Sequence, residues 1–162
     1  MDHRERAVEL FRQGYNCSQS VFAAYCEELG LDLPSALKLS SSFGGGMGRL
    51  REVCGAVTGM FLAAGLKEGY TDPSDPVAKA KHYERIQALA KRFEEKNGSI
   101  ICRELLGLSV KHDSPTPEAR TEQYYMKRPC SELVGIAAQI LDEMFASEPT
   151  ETNHGSVKGE HK

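Results

Sequence analysis

Cys17, Cys26, Cys54, Cys102 and Cys130 are the residues whose type and placement point to chemistry in this chain of 162 residues. A thiolate is the nucleophile of thiol–disulfide exchange and also the form that binds metals. A free thiol has a pKa of about 8.5, which helix N-termini and nearby cations lower. Four of the five cysteines fall in the first turn of an expected helix. Asn16 reads as an N-cap and puts Cys17 at the first helical position. Cys54 opens a helix whose pattern starts at Glu52, Ser99 caps the helix that carries Cys102, and Pro129 at the first position puts Cys130 at the second. Unpaired backbone N–H groups and the positive end of the helix dipole favour an anion at such places. Arg49 and Arg51 precede Cys54, Arg103 follows Cys102, and Lys127 and Arg128 precede Cys130. Cys17 has no cation so near. Cys54, with two arginines and little steric cover from its glycines, is therefore the thiol expected to react fastest. Cys26 lies nine residues after Cys17, on the opposite face of a helix, and reads as a small buried hydrophobe.

The same four residues admit other readings. Four thiolates can bind zinc tetrahedrally or hold an iron–sulfur cluster. The spacings of 37, 48 and 28 residues contain no Cys-x-x-Cys, so the fold itself would have to assemble such a site. Buried cysteines in a helical core, or a binding module without chemistry, complete the alternatives. For exchange, four cysteines allow three complete pairings. Hydrolase motifs are missing. The run Gly44-Gly-Gly-Met-Gly-Arg49 has the glycine of a phosphate loop without its Gly-Lys-Ser/Thr ending, and no expected strand precedes it. His3, His82, His112, His154 and His161 all read as surface histidines.

The stretch Phe43-Gly-Gly-Gly-Met-Gly-Arg-Leu-Arg-Glu-Val-Cys54-Gly-Ala-Val-Thr-Gly59 is the centre of the pattern. Clustered glycine implies a tight turn or a close approach to the backbone. Gly55, Gly59 and Ala63 form a stripe with almost no side chain, against which a neighbouring helix can pack at short range. Cys54-Gly-Ala-Val-Thr-Gly59 resembles the CGAxxG signature of the redox-active family labelled C-GCAxxG-C-C, although the label writes glycine before cysteine. The remaining family cysteines correspond to Cys17 in Tyr15-Asn-Cys17-Ser-Gln, Cys102 in Cys102-Arg-Glu-Leu-Leu-Gly107 and Cys130 in Arg128-Pro-Cys130-Ser-Glu-Leu. The match runs over about residues 15–145. The resemblance implies redox activity carried by Cys17, Cys54, Cys102 and Cys130, with no fixed substrate. Members like this one often lie near transporter genes, which makes a redox partner protein or a transporter the implied partner, the latter with this chain as a non-catalytic accessory.

The elements that must position these residues are helical throughout. The spacing predicts about seven helices in one all-α domain over residues 1–146, followed by a polar, disordered tail over 147–162. The first helix covers residues 2–13 with Ala7, Leu10 and Phe11 inward, and a short one runs from Pro34 to about residue 42. A long helix opens at Asp75-Pro76 and ends at Asn97-Gly98, with Val77, Ala80, Ile86, Leu89, Ala90 and Phe93 apolar. A short helix is expected from Pro117 towards Tyr125. The last runs to about Phe145 with Leu133, Val134, Ala137, Ala138, Ile140 and Leu141 apolar.

Composition bounds the rest. The length suits one domain with a real core. A net charge of −3 gives no electrostatic reason to expect nucleic acid or an anionic membrane. The charged N-terminus lacks a secretory pattern, and the apolar run over residues 53–66 is too short to span a bilayer. Five cysteines without a leader point to a reducing, cytoplasmic setting, where thiols serve redox or metal chemistry.

Overall fold

The computed structural model describes residues 1–147, so the expected tail beyond Ser147 lies outside the described residues. The described residues form eight helices: α1 (His3–Arg12), α2 (Cys17–Ala24), α3 (Leu33–Ser40), α4 (Gly55–Glu68), α5 (Pro76–Asn97), α6 (Cys102–Leu105), α7 (Glu122–Lys127) and α8 (Cys130–Ala146). A 3-10 turn, Ser41–Phe43, and a glycine turn, Gly44–Met47, join α3 to the segment before α4. Extended pairing among the described residues is one isolated antiparallel bridge, Val53 with Ile101. The all-α expectation holds, with eight helices in place of about seven. No described helix is long and apolar enough to cross a membrane.

The starts of these helices are set by side chains that satisfy otherwise orphaned amides. Asp2 accepts from Glu5 N at 2.7 Å, and Asp75 accepts from Ala78 N at 2.9 Å. Asn16 and Gln19 form a reciprocal capping box at the head of α2. Asn16 Nδ2 also donates to Ser41 O at 3.0 Å, which ties the glycine turn to that end of the helix.

Helix α2 is the hub and packs on α1, α3, α4 and α8. Six of its residues are buried, Ser18, Ser20, Val21, Phe22, Ala23 and Ala24, so it has almost no polar face. Beyond its end, buried Tyr25 donates its hydroxyl towards Ala138 O at 2.7 Å and Asp142 Oδ1 at 2.8 Å, fixing α2 against α8. Helix α8 buries Leu133, Val134, Ala137, Ala138, Ile140 and Leu141 as expected, and α1 buries Ala7, Leu10 and Phe11.

The contact of α2 with α4 explains the small-residue stripe. A Cβ on Gly59 would stand 2.9 Å from Val21 Cβ and 3.0 Å from Ser18 O. One on Gly55 would stand 3.0 Å from Ser18 N and 3.1 Å from Cys17 Cβ. The two helices therefore meet nearly backbone to backbone, as the stripe implies.

One burial pattern and one boundary differ from expectation. The long helix α5 buries only Leu89 and Phe93, whereas Val77 is 75% exposed. At 1.5 Å per residue α5 is about 33 Å long, and its first half outreaches the core. A bidentate Arg85–Glu68 pair at 2.7 and 3.1 Å fastens it to α4. Helix α7 begins at Glu122 because Thr121, not Pro117, supplies the cap, accepting from Tyr124 N at 3.2 Å.

Gly59→Ala should lower stability. Overpacking against Val21 and the Ser18 carbonyl costs about 1–3 kcal/mol, partly offset by a helix-propensity gain of about 1 kcal/mol. Gly65 lies in the same helix, and a methyl group added there would meet nothing within 4 Å, so Gly65→Ala should raise stability. Thermal melts of the two variants should therefore move in opposite directions.

Candidate functional site

Each family-matched cysteine sits at or beside a helix start, with shifts of one or two residues from expectation. Cys17 is the first residue of α2, as expected. Cys54 is not inside a helix: it is the residue before α4, with extended backbone at φ −53° and ψ 134°. The helical pattern from Glu52 is overridden because residues 52–54 run alongside residues 100–102. Cys54 N donates to Ile100 O at 2.8 Å, and Cys102 N donates to Glu52 O at 2.6 Å. Around the Val53–Ile101 bridge, Cys54 and Cys102 are one position removed on each strand, so both side chains leave the same side. Cys102 is the first residue of α6, with Ile101 before it; Ser99 instead accepts from Ile101 N at 3.0 Å. Cys130 is the first residue of α8, and Pro129 precedes the helix.

The glycine turn is left-handed. Gly45, Gly46, Met47, Gly48 and Arg49 have φ between 63° and 70°, and Arg51 follows at 58°. The turn closes through Gly48 N to Gly44 O and Glu52 N to Gly46 O, both 2.9 Å. Three non-glycine residues in this conformation, Met47, Arg49 and Arg51, store about 1–2 kcal/mol of strain each. Such strain persists only where surrounding structure holds it, and it concentrates at functional sites.

The strained turn re-aims Arg51. Its guanidinium is buried, with Nη1 donating to Cys102 Sγ at 3.5 Å and Nη2 to Asp113 Oδ2 at 3.1 Å. Arg49 reaches Asp113 as well, at 3.3 Å, and donates from Nε to Ser114 O at 2.6 Å. Both arginines expected to serve Cys54 thus pin the 107–121 loop, and Arg51 serves Cys102. Arg103 donates to Arg51 O and to Glu52 Oε2, each at 3.2 Å, and its expected role beside Cys102 passes to Arg51.

Cys17, Cys54, Cys102 and Cys130 line one cavity of about 290 Å³, together with the glycine turn, Arg120, Tyr124 and Arg128. Cys26 is fully buried in the core and takes no part in it. The structure therefore brings together the four residues singled out in sequence and leaves the fifth apart. All five are free thiols. Among the described residues, no group of three or more His, Cys, Asp or Glu side chains is arranged to hold a metal ion.

The thiols differ in proton affinity. Burial pushes Cys54 up to about 12, against the opposing pull of the Ala56 and Val57 amides. This overturns the expectation that Cys54 is the activated thiolate: desolvation outweighs the helix start. Cys102 is raised by burial despite Arg51. Cys17 is raised first by its hydrogen bond with Cys130 and then by burial. Cys130 alone of the four is lowered: the Cys17 hydrogen bond favours its charged form against the cost of burial, and Arg128, Arg120 and Arg51 add to it. The two shifts oppose each other: within the pair the proton is favoured on Cys17 and the charge on Cys130.

Arg120 and Tyr124 fall within the short helix expected from Pro117, where nothing in the sequence marks either as a site residue. Arg120 arrives from the loop over residues 107–121, where Pro115 and Pro117 fold the chain back across the cavity. Its guanidinium donates to Phe11 O at 3.2 Å and Tyr15 O at 3.1 Å, and stacks on Phe11 and Tyr124.

The family model described as "Putative redox-active protein (C_GCAxxG_C_C)" matches residues 15–144. An uncharacterized protein of Archaeoglobus fulgidus is 26% identical over 156 residues, covering 91% of this chain and 95% of its own. No solved structure matches the chain.

Because Cys130 is lowered by Cys17 and the neighbouring guanidiniums while the other three are raised, its thiolate persists to lower pH than theirs. Timed iodoacetamide labelling read by peptide mass spectrometry should find Cys130 modified first at neutral pH. Cys26 and Cys54 should remain unmodified until the protein unfolds. Arg128→Gln should raise the pH midpoint for Cys130 labelling towards the ordinary thiol value.

Proposed function

The chain belongs to the C_GCAxxG_C_C redox-active family, and on that footing we propose that it carries out thiol–disulfide exchange, with Cys130 as attacking thiolate and Cys17 as resolving thiol. The reading is carried by the seating of Cys17 and Cys130, each the first residue of a helix, on one cavity with Arg120 and Arg128; the opposed shifts of the two thiols name Cys130 as the one that charges first. Exchange needs one sulfur charged for attack and a second close by to release the product.

The steps balance without a cofactor. The Cys130 thiolate attacks one sulfur of a substrate disulfide; the substrate S–S bond breaks, a Cys130–substrate disulfide forms, and the first substrate thiolate leaves. That thiolate takes the proton from Cys17. The Cys17 thiolate then attacks Cys130 Sγ, forming the Cys17–Cys130 disulfide and expelling the second substrate thiolate. Two electrons pass from the protein dithiol to the substrate disulfide. Arg128 and Arg120 hold Cys130 charged beforehand, so the attacking group requires no general base. Cys54 and Cys102 stay protonated through this exchange and form the cavity wall. A resting dithiol fits the reducing, cytoplasmic setting expected from cysteine usage.

The test is trapping. With a model disulfide, Cys17→Ser should accumulate a mixed disulfide at Cys130, because nothing resolves it. Cys130→Ser should form no adduct at a comparable rate, and the unsubstituted protein should end with Cys17 and Cys130 in one cross-linked peptide. A cross-link between Cys54 and Cys102, or equal adduct formation by both variants, overturns the assignment.

A further inference from the structure

The dithiol reading leaves open what can reach Cys130. The sulfurs lie at the bottom of the fold rather than on it: Cys54, Cys102 and Cys130 are 4%, 6% and 8% exposed. What they face is a cavity of about 290 Å³, a space on the scale of a small molecule. A disulfide embedded in a folded protein would have to bring its backbone past the glycine turn and the 107–121 loop, which Arg49 and Arg51 clamp together through Asp113.

The charge around the cavity favours one sign of ligand. Arg49 and Arg51 share the single carboxylate of Asp113, and Arg128 pairs with Glu118 at 2.5 Å. Arg120 has backbone carbonyls and aromatic faces for partners and no carboxylate. Four guanidiniums therefore stand against two carboxylates, which leaves the neighbourhood of the cavity positive even when Cys130 is charged. Arg51 adds a sharper signal. It is only 4% exposed, lines the cavity, and its Nε has no hydrogen-bond partner among the described residues. A buried donor left unpaired is unfavourable, so Arg51 stands at the cavity wall with unmet hydrogen-bonding capacity.

We propose that the cavity admits a low-molecular-weight disulfide bearing a carboxylate, with its S–S bond presented to Cys130 and its carboxylate held on the Arg51 side. This rests on the dithiol reading above and names its substrate class. The exchange is the one already written: the small disulfide takes two electrons and leaves as one thiol, carrying the Cys17 proton, and one thiolate, and the protein retains the Cys17–Cys130 disulfide. Excess positive charge in a partly desolvated cavity raises the local concentration of an anionic substrate and disfavours a cationic one.

The experiment follows loss of the Cys17 and Cys130 thiols in fully reduced protein under excess oxidant. Four oxidants are compared: 3,3′-dithiodipropionate, which carries carboxylates; 2-hydroxyethyl disulfide, which is neutral; cystamine, which is cationic; and oxidised insulin, whose disulfides are embedded in protein. Each rate is divided by that of a free dithiol of similar pKa, to remove intrinsic reactivity. The carboxylate-bearing disulfide should exceed cystamine by about tenfold or more after this correction, and added salt should narrow the gap. Insulin should react slowest. Arg51→Gln should reduce the preference several-fold; should that variant fold poorly, Arg49→Gln, on a partly exposed side chain, is expected to reduce it in the same direction. Equal corrected rates for all three small disulfides, or a preference for cystamine or insulin, overturn the substrate class and leave the dithiol reading standing. Failure of every disulfide to oxidise the Cys17–Cys130 pair overturns the dithiol reading and the substrate class with it.

Discussion

The close approach of α2 to α4 is the constraint on which the rest depends. Cys17 heads one helix and Cys54 precedes the other, so their separation is governed by how nearly the two backbones can meet. Gly55 and Gly59 remove the side chains that would hold them apart, and Ser18 and Val21 fill the space. Once α2 is seated, its capping box fixes the position of Asn16, and Asn16 in turn holds the turn after α3. The glycine turn can then fold left-handed against it. The CGAxxG signature is thus a packing statement as much as a chemical one. One of its six positions supplies sulfur, and two supply proximity.

Proximity alone does not activate a thiol. All four sulfurs line one cavity; at Cys54 and Cys102 burial wins over the amides and the cation that favour charge, and Cys17 is raised first by Cys130 and then by burial. Cys130 escapes because a neighbouring thiol donates to it while guanidiniums from three separate segments converge on it. The asymmetry lets two identical side chains take opposite roles. Arg51 belongs to both halves of the arrangement: it touches Cys102, contributes to the field at Cys130, and anchors Asp113 of the covering loop.

Much of this is legible in the sequence where the signal is local. Caps such as Asn16 and Asp75 mark helix starts because the amides they satisfy lie three residues away. The Gly55–Gly59 stripe is legible because helical spacing alone puts small residues on one face. The segment before Cys54 is not, since a single bridge between residues 53 and 101 leaves no alternation to detect. Its partner lies 48 residues away. The role expected of Arg49 and Arg51 fails for a related reason. Nearness to Cys54 along the chain does not carry over into space, because a run of positive φ values sends both side chains elsewhere. Arg120 is invisible in sequence because a loop residue's destination is set by tertiary contacts, here the carbonyls of Phe11 and Tyr15.

The order of these parts along the chain has a kinetic consequence. The acid partner of the thiol pair, Cys17, is near the N-terminus, whereas Cys130 and two of the guanidiniums that charge it, Arg120 and Arg128, come from the last third. Contacts of such long sequence separation close late, because the entropy of the intervening loop must be lost first. A growing polypeptide therefore exposes Cys17, Cys26 and Cys54 as ordinary thiols, with no depressed pKa among them. The lowered Cys130 thiol comes into being only as α8 docks on α1 and α2. Assembly from both ends of the chain makes completion of the fold the event that brings Cys17 and Cys130 onto one cavity.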